Sequence, residues 1–150
     1  MGAIIMEILN KRARFDYFVE EEYEAGIELT GTEIKSIRDG KCNIKDSYGI
    51  VRKGEVFLLN MYIAQYKEGN IFNHNETRSR KLLLHKKEIK KINDSITLNG
   101  LTLVPLKGYF KDNKFKILLG ICRGKKNYDK RETIKERDIN REVKKDLKNY

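Results

Sequence analysis

From Phe115 onward the apolar residues fall on every second position, Phe115, Ile117, Leu119 and Ile121, with Lys116, Leu118 and Gly120 between them. Period two marks a strand with a buried face. Tyr109-Phe110 stands just upstream, and Asp112-Asn113 between the two runs predicts a hairpin turn. A second hairpin is written in SYGIVRKGEVFLLNMYI, where Lys53-Gly54 separates two β-rich runs. A third is predicted in ITLNGLTLVPL, because Asn99-Gly100 tolerates positive φ at both turn positions. FDYFV and GIELTG read as further strands. Two segments break the alternation. TEIKSIRDG predicts a short helix, with Thr32 capping its start and Gly40 in the left-handed position past its end. SRKLLLHKKEIKKI predicts a second, with Leu82, Leu83, Ile89 and Ile92 on one side and Lys86, Lys87, Lys90 and Lys91 on the other. The fold class is therefore mainly β with a few helices. A small closed or nearly closed barrel fits, the oligonucleotide-binding (OB-type) barrel being one form, and an SH3-like barrel or an α+β sandwich remains open.

The pattern stops at GKKNYDKRETIKER, residues 124–137, which has almost nothing to bury. The expected organisation is one body, residues 1–122, and a basic tail, residues 123–150, that holds 11 Lys and Arg against 6 Asp and Glu. The whole chain of 150 residues carries +10, so a polyanionic partner, nucleic acid first, is expected. The opening MGAIIMEIL is interrupted by Glu7 and has no basic stretch before it, and no run is long enough to span a bilayer. A cytoplasmic protein without a membrane partner is expected. Cys42 and Cys122 lie far apart with no clustered histidines, which favours two reduced thiols over a disulfide or a metal site. The acidic run Glu20, Glu21, Glu22 and Glu24 reads as a solvated turn, since neighbouring residues diverge and cannot converge on a metal ion. His74 and His85 have no nucleophile at a recognisable spacing, and no phosphate-binding glycine loop is present. The chain is accordingly read as a binding protein, not an enzyme, with no cofactor and no catalytic residue. TRSRK, Thr77 to Lys81, places Arg78, Arg80 and Lys81 at the start of the second predicted helix, where backbone N–H groups and the helix dipole also favour phosphate. Tyr48, Phe72 and Tyr109 are candidates for stacking on bases or for the core.

Five blocks carry a resemblance: GTEIKSIRDGKCNIKDSY (31–48), GEVFLLNMYI (54–63), TRSRKLLLH (77–85), GLTLVPLKGYF (100–110) and GKKNYDKRETIKER (124–137). In order and spacing the chain resembles the small protein B family over residues 10–150. The resemblance implies an OB-type barrel that clasps the tRNA-like domain of transfer-messenger RNA (tmRNA, SsrA RNA) and enters a stalled ribosome for trans-translation. It implies as partners that RNA, the small-subunit decoding centre and messenger channel of the ribosome, and elongation factor Tu with the charged RNA. It also implies site residues. Glu33 stands where the family has a glutamate important for the tRNA-like domain, and Lys35 in the same block is suited to phosphate; a carboxylate can only accept hydrogen bonds, from a base amino group or a 2′-hydroxyl. Asn43, Arg78, Arg80, Lys81, Lys125 and Lys126 match family blocks and are assigned to RNA. Asp129, Lys130, Arg131, Ile134, Lys135 and Arg137 match the family's D-K-R-x-x-I-K-x-R tail pattern, and this tail is expected to reach into the empty messenger channel. Phe15 replaces a histidine common in relatives. The D-x-x-E spacing of Asp129 and Glu132 and the stripe Ile139, Val143 and Leu147 predict a tail that is disordered alone and helical in the ribosome, the alternative being a helix folded back on the barrel. Two rival functions share the charge: a general single-stranded RNA-binding barrel and a ribosome-assembly factor.

Overall fold

Alternating apolar residues become sheet through most of the chain. The computed structural model describes residues 7–66 and 73–125. Among these the elements are β1 (Glu7–Leu9), α1 (Lys11–Asp16), β2 (Tyr17–Ile27), α2 (Gly31–Arg38), β3 (Cys42–Asn43), β4 (Tyr48–Arg52), β5 (Glu55–Leu59), β6 (Tyr62–Ile63), β7 (Arg80–Leu83), α3 (Lys86–Asn99), β8 (Thr102–Lys111) and β9 (Lys114–Gly124). Strands β8, β4, β5, β7, β2 and β9 pair in that order, and β9 pairs back onto β8. The sheet is thereby a small barrel, mainly β as the pattern indicated. β1 lies opposite Lys107 to Tyr109 on β8, and β3 pairs with β6 as a separate ribbon.

Closure depends on a close approach. Where β4 meets β8, Gly49 lies opposite Leu103, and a Cβ on Gly49 would stand 2.4 Å from Leu103 Cδ2. Inside the ring, Phe115, Ile117, Leu119 and Ile121 of β9 join Ala25, Val56, Leu58, Leu82 and Leu103, with Ile37 of α2 and Ile92 of α3 closing on them. A second, smaller cluster seats α1 outside the ring, with Ala13 against Val104, Leu106 and Cys122.

Two of the three predicted hairpins form as read. Lys53 and Gly54 have φ of 51° and 76°, and Asp112 and Asn113 have 53° and 65°, the doubly left-handed turn that matches strand twist. The third does not form. Ile96 to Asn99 end α3, and Gly100, at φ 66°, is its left-handed cap, with the Leu101 N–H bonded back to Ser95 O at 3.1 Å. Asn-Gly serves a helix end as well as a hairpin, and the helical spacing of Ile89, Ile92 and Ile96 decides between them.

The predicted second helix is also two elements. Arg80 and Leu82 alternate inward on β7, then His85 takes extended backbone before α3, where its N–H donates to Glu88 Oε1 at 3.0 Å. Arg78, Arg80 and Lys81 therefore do not sit at a helix start, and the phosphate site proposed there from the dipole does not exist. The acidic run is not a turn: Glu20, Glu21, Glu22 and Glu24 are exposed residues of β2, whose inward positions are Tyr23, Ala25 and Ile27. FDYFV and GIELTG are the two ends of that one strand, except that Phe15 and Asp16 belong to α1 and Glu28 onward leaves the sheet. Thr30, not Thr32, caps α2. β9 continues two residues past Cys122, to Gly124.

Candidate nucleic-acid interface

Sequence-local chemistry starts the site. Thr30 and Glu33 form a capping box at the start of α2: the Thr30 hydroxyl accepts from the Glu33 N–H at 3.3 Å, and Glu33 Oε1 accepts from the Thr30 N–H at 2.9 Å. This turns the carboxylate inward, where Arg78 donates to it twice, Nη2 to Oε1 at 2.7 Å and Nε to Oε2 at 2.9 Å. Arg80 Nε donates to Oε2 at 2.7 Å. The Glu33 and Arg80 side chains are both 0% exposed, whereas Arg78 keeps 34%.

Arg80 spends its other donors on backbone carbonyls: Met61 O at 2.7 Å, Glu76 O at 3.2 Å, Arg78 O at 3.3 Å and Asn75 O at 3.4 Å. One guanidinium thus gathers the segment before β7 around itself. A charge with no water needs all its hydrogen bonds inside the protein, and these five contacts supply them. Burial opposes the charged form of Glu33, but the bonds from Arg78, Thr30 and Arg80 outweigh it and hold its pKa below the ordinary carboxylate value.

His74 fixes the same segment from the other side. Its ring contacts Ile63 O through Nε2 at 2.9 Å and the Thr32 hydroxyl through Nδ1 at 2.8 Å. A carbonyl only accepts, so Nε2 donates to Ile63 O. Asn73 clamps both backbone groups of Tyr66, at 3.1 and 2.8 Å, and Lys35 places its ammonium 5.4 Å from the Tyr66 ring centroid. Together, the exposed outer turn of α2 with Lys35, the Tyr66 ring and the half-exposed Arg78 lie over the hydrogen-bonded network of Glu33, Arg80 and His74.

The remaining expected residues are distributed more widely. Asn43 is exposed on β3, its Oδ1 accepting from the Lys45 N–H at 2.7 Å. Lys81 points out from β7, opposite to Arg80, and pairs with Glu55 at 2.8 Å. Lys125 lies at the far end of β9, donating to Arg14 O at 3.0 Å with its ammonium 5.0 Å from the Phe18 ring centroid. Lys126 and the tail residues Asp129, Lys130, Arg131, Ile134, Lys135 and Arg137 lie outside the described residues. The Glu33 and Arg80 side chains, expected to touch RNA directly, are both fully buried and bonded to each other. Tyr48 is 41% exposed and open to stacking, Tyr109 instead donates to Glu24, and Phe72 is outside the described residues. Phe15, on α1, is 74% exposed.

Thr30, Tyr66 and His74 were missed. T-x-x-E at Thr30 to Glu33 was readable as a capping box, but nothing in spacing links His74 to Thr32, 42 residues away. Burial pushes the Cys42 thiol to about 12 and that of Cys122 to about 11, which disfavours the thiolate at both. Among the described residues no group of three His, Cys, Asp or Glu could hold a metal ion, and no helix is long and apolar enough to cross a membrane.

Comparison with known proteins gives a consistent answer. The family model described as SmpB protein matches residues 7–149. The SsrA-binding protein of Ligilactobacillus salivarius (strain UCC118) is 56% identical over 141 residues, covering 94% of this chain and 91% of that protein. That of Staphylococcus aureus (strain Newman) is 56% identical over 139 residues, covering 93% and 90%. A solved structure described as "tmRNA-SmpB: a journey to the center of the bacterial ribosome" superposes with a TM-score of 0.67 at 48% identity, covering 79% of this chain and 84% of that one.

Proposed function

Because the chain belongs to the SmpB protein family, we propose that it binds the tRNA-like domain of tmRNA and brings that RNA to stalled ribosomes for trans-translation. The observation that carries this reading is the Glu33–Arg78–Arg80 knot. It fixes α2 against residues 73–79 and leaves Arg78, Lys35 and the Tyr66 ring as a preorganised set of donors and a stacking face. Such a face costs little entropy on binding, because its side chains are already held. An RNA loop with splayed bases suits it better than a smooth duplex, since a ring next to cations takes a base and its phosphate together.

Within this reading the roles divide. Arg78, Lys35 and Asn43 touch RNA directly, and Glu33 and Arg80 hold Arg78 in place. Lys81 reaches RNA by exchanging Glu55 for a phosphate, and Lys125 and Lys126 extend the contact from the end of β9. The body carries RNA binding. The tail, through Asp129, Lys130, Arg131, Ile134, Lys135 and Arg137, probes the vacant messenger channel, and the charged RNA arrives with elongation factor Tu. The exposed Phe15 supplies stacking where relatives have an imidazole. Catalysis has no part in this function.

The test is a titration of labelled tRNA-like domain with the protein and with a chain ending at Lys126. Both should bind alike, and only the full chain should support peptide tagging on stalled ribosomes. Tagging by the truncated chain would remove the tail from the function, and failure of the full chain to bind the RNA would remove the function itself.

A further inference from the structure

α2 is held to the body at two places that do not involve His74. Ile37, fully buried, packs into the core, and Glu33 is bonded to Arg78 and Arg80. A further link leaves the first turn of the helix, where the Thr32 hydroxyl and His74 Nδ1 share a hydrogen bond at 2.8 Å. His74 itself is 6% exposed, so its effect on a ligand passes through its neighbours. The core and the ion pairs already join α2 to the barrel. What the link to His74 adds is on the outside: Thr32 and Lys35 are three residues apart on α2 and therefore neighbours on one side of the helix.

His74 also anchors the segment that carries Tyr66. Its Nε2 donates to Ile63 O at 2.9 Å, and its own carbonyl accepts from Gln65 Nε2 at 3.0 Å. Beside it, Asn73 Oδ1 accepts from the Tyr66 N–H at 3.1 Å and Asn73 Nδ2 donates to Tyr66 O at 2.8 Å. Side chains here do what a backbone ladder does between strands, so the place of Tyr66 depends on which residues stand at 73 and 74. One imidazole thus connects the helix that carries Lys35 with the segment that carries Tyr66, whose ring centroid is 5.4 Å from the Lys35 ammonium.

We propose that His74 is a positioning residue for RNA binding: through Thr32 it sets the spacing of Lys35 and the Tyr66 ring, so that a base and its phosphate meet both together. The inference rests on the function proposed above. The latch holds the free protein in its binding geometry, which lowers the ordering cost of taking up RNA. Losing it leaves every cation in place and weakens binding through geometry alone.

The experiment uses the full chain with Thr32→Val, Thr32→Ser, His74→Gln and the double variant Thr32→Val/His74→Gln. Valine keeps the shape of threonine without its hydroxyl, serine keeps the hydroxyl, and glutamine retains a donor for Ile63 O. Urea denaturation confirms that each variant is folded under the assay conditions. Thr32→Val and His74→Gln should each weaken binding of tRNA-like domain RNA about threefold or more, the worth of one hydrogen bond. The double variant should bind no worse than the weaker single variant, since both break the same bond. The log–log salt slope should match that of the wild type, because no cation is removed. Thr32→Ser should restore affinity. In the RNA-free protein the Tyr66 ring resonances should shift in Thr32→Val and return in Thr32→Ser. Binding by Thr32→Val within twofold of the wild type would overturn the proposal, as would additive losses in the double variant. A loss of affinity that persists in Thr32→Ser, or that leaves the Tyr66 ring resonances of free Thr32→Val unmoved, would also overturn it. Should the wild-type chain fail to bind the RNA, the proposed function falls, and the Tyr66 ring shifts of the free variants then decide the latch by themselves, their absence overturning it.

Discussion

Glu33 shows how far a single residue's role depends on where its carboxylate points. A glutamate in a basic block reads as an acceptor for RNA, yet the capping box turns it inward onto two guanidinium groups. Replacing it with Gln leaves Arg80 buried without a compensating charge, so Glu33→Gln should cost about 3–5 kcal/mol of folding stability, measured by urea denaturation. Its pKa is lower folded than unfolded, which fixes the sign of the pH effect. The stabilisation is fully present above the ordinary carboxylate value of 4.5 and is lost as pH falls from there through the lowered folded value. The wild type and Glu33→Gln should therefore converge in stability on acidification below that value, and a gap that stays constant down to complete protonation would contradict this account. Lys35 is the opposite case, exposed, with its ammonium 5.4 Å from the Tyr66 ring centroid. Lys35→Ala should leave stability within about 0.5 kcal/mol and lower the salt slope of RNA binding by about 0.7 to 0.9, which a titration at several salt concentrations reads directly.

At the scale of elements, strands with an obvious alternation were legible and those interrupted by charge were not. β9 and the Lys53-Gly54 hairpin could be read because local pattern and tertiary burial agree. Only the two ends of β2 were legible, since the outward residues of its middle are glutamates whose partners, Arg14, Arg123 and Lys111, come from other parts of the chain. β7 was hidden for a related reason. Its inward Arg80 is a core residue only because Glu33, 47 positions away, accepts from it. The site followed the same rule: its residue types were readable, and their division into buried base and exposed face was not. Asn99-Gly100 misled because one dipeptide satisfies two structures. Gly100→Ala should destabilise α3's left-handed cap by about 1–2 kcal/mol, whereas a hairpin at that place would respond with altered strand register. Gly49→Ala tests the barrel seam, since the new methyl must displace the fully buried Leu103. Overpacking of this kind costs about 1–3 kcal/mol, and amide exchange should show the loss concentrated at β4 and β8.

For the whole molecule, charge is sorted by face. The β2 side sets glutamates against its cations, while α2 presents Lys35 and Arg38 and α3 presents Lys86, Lys87, Lys90 and Lys91 to solvent. Four phosphate contacts on the exposed faces would weaken RNA affinity about a hundredfold between 50 and 200 mM salt, so binding insensitive to salt would remove electrostatics from the account. On the function proposed, the buried knot of Glu33, Arg78 and Arg80 holds up a particular RNA-binding face. Amide chemical-shift mapping of isotope-labelled protein titrated with tRNA-like domain RNA tests it most directly. The account predicts that the largest changes fall on α2 from Glu33 to Ser36, on Asn43, on Tyr62 to Tyr66 and on residues 73–79, with the glutamates of β2 little affected. Changes confined to β2 and β9, with α2 and residues 73–79 unmoved at saturation, would contradict it.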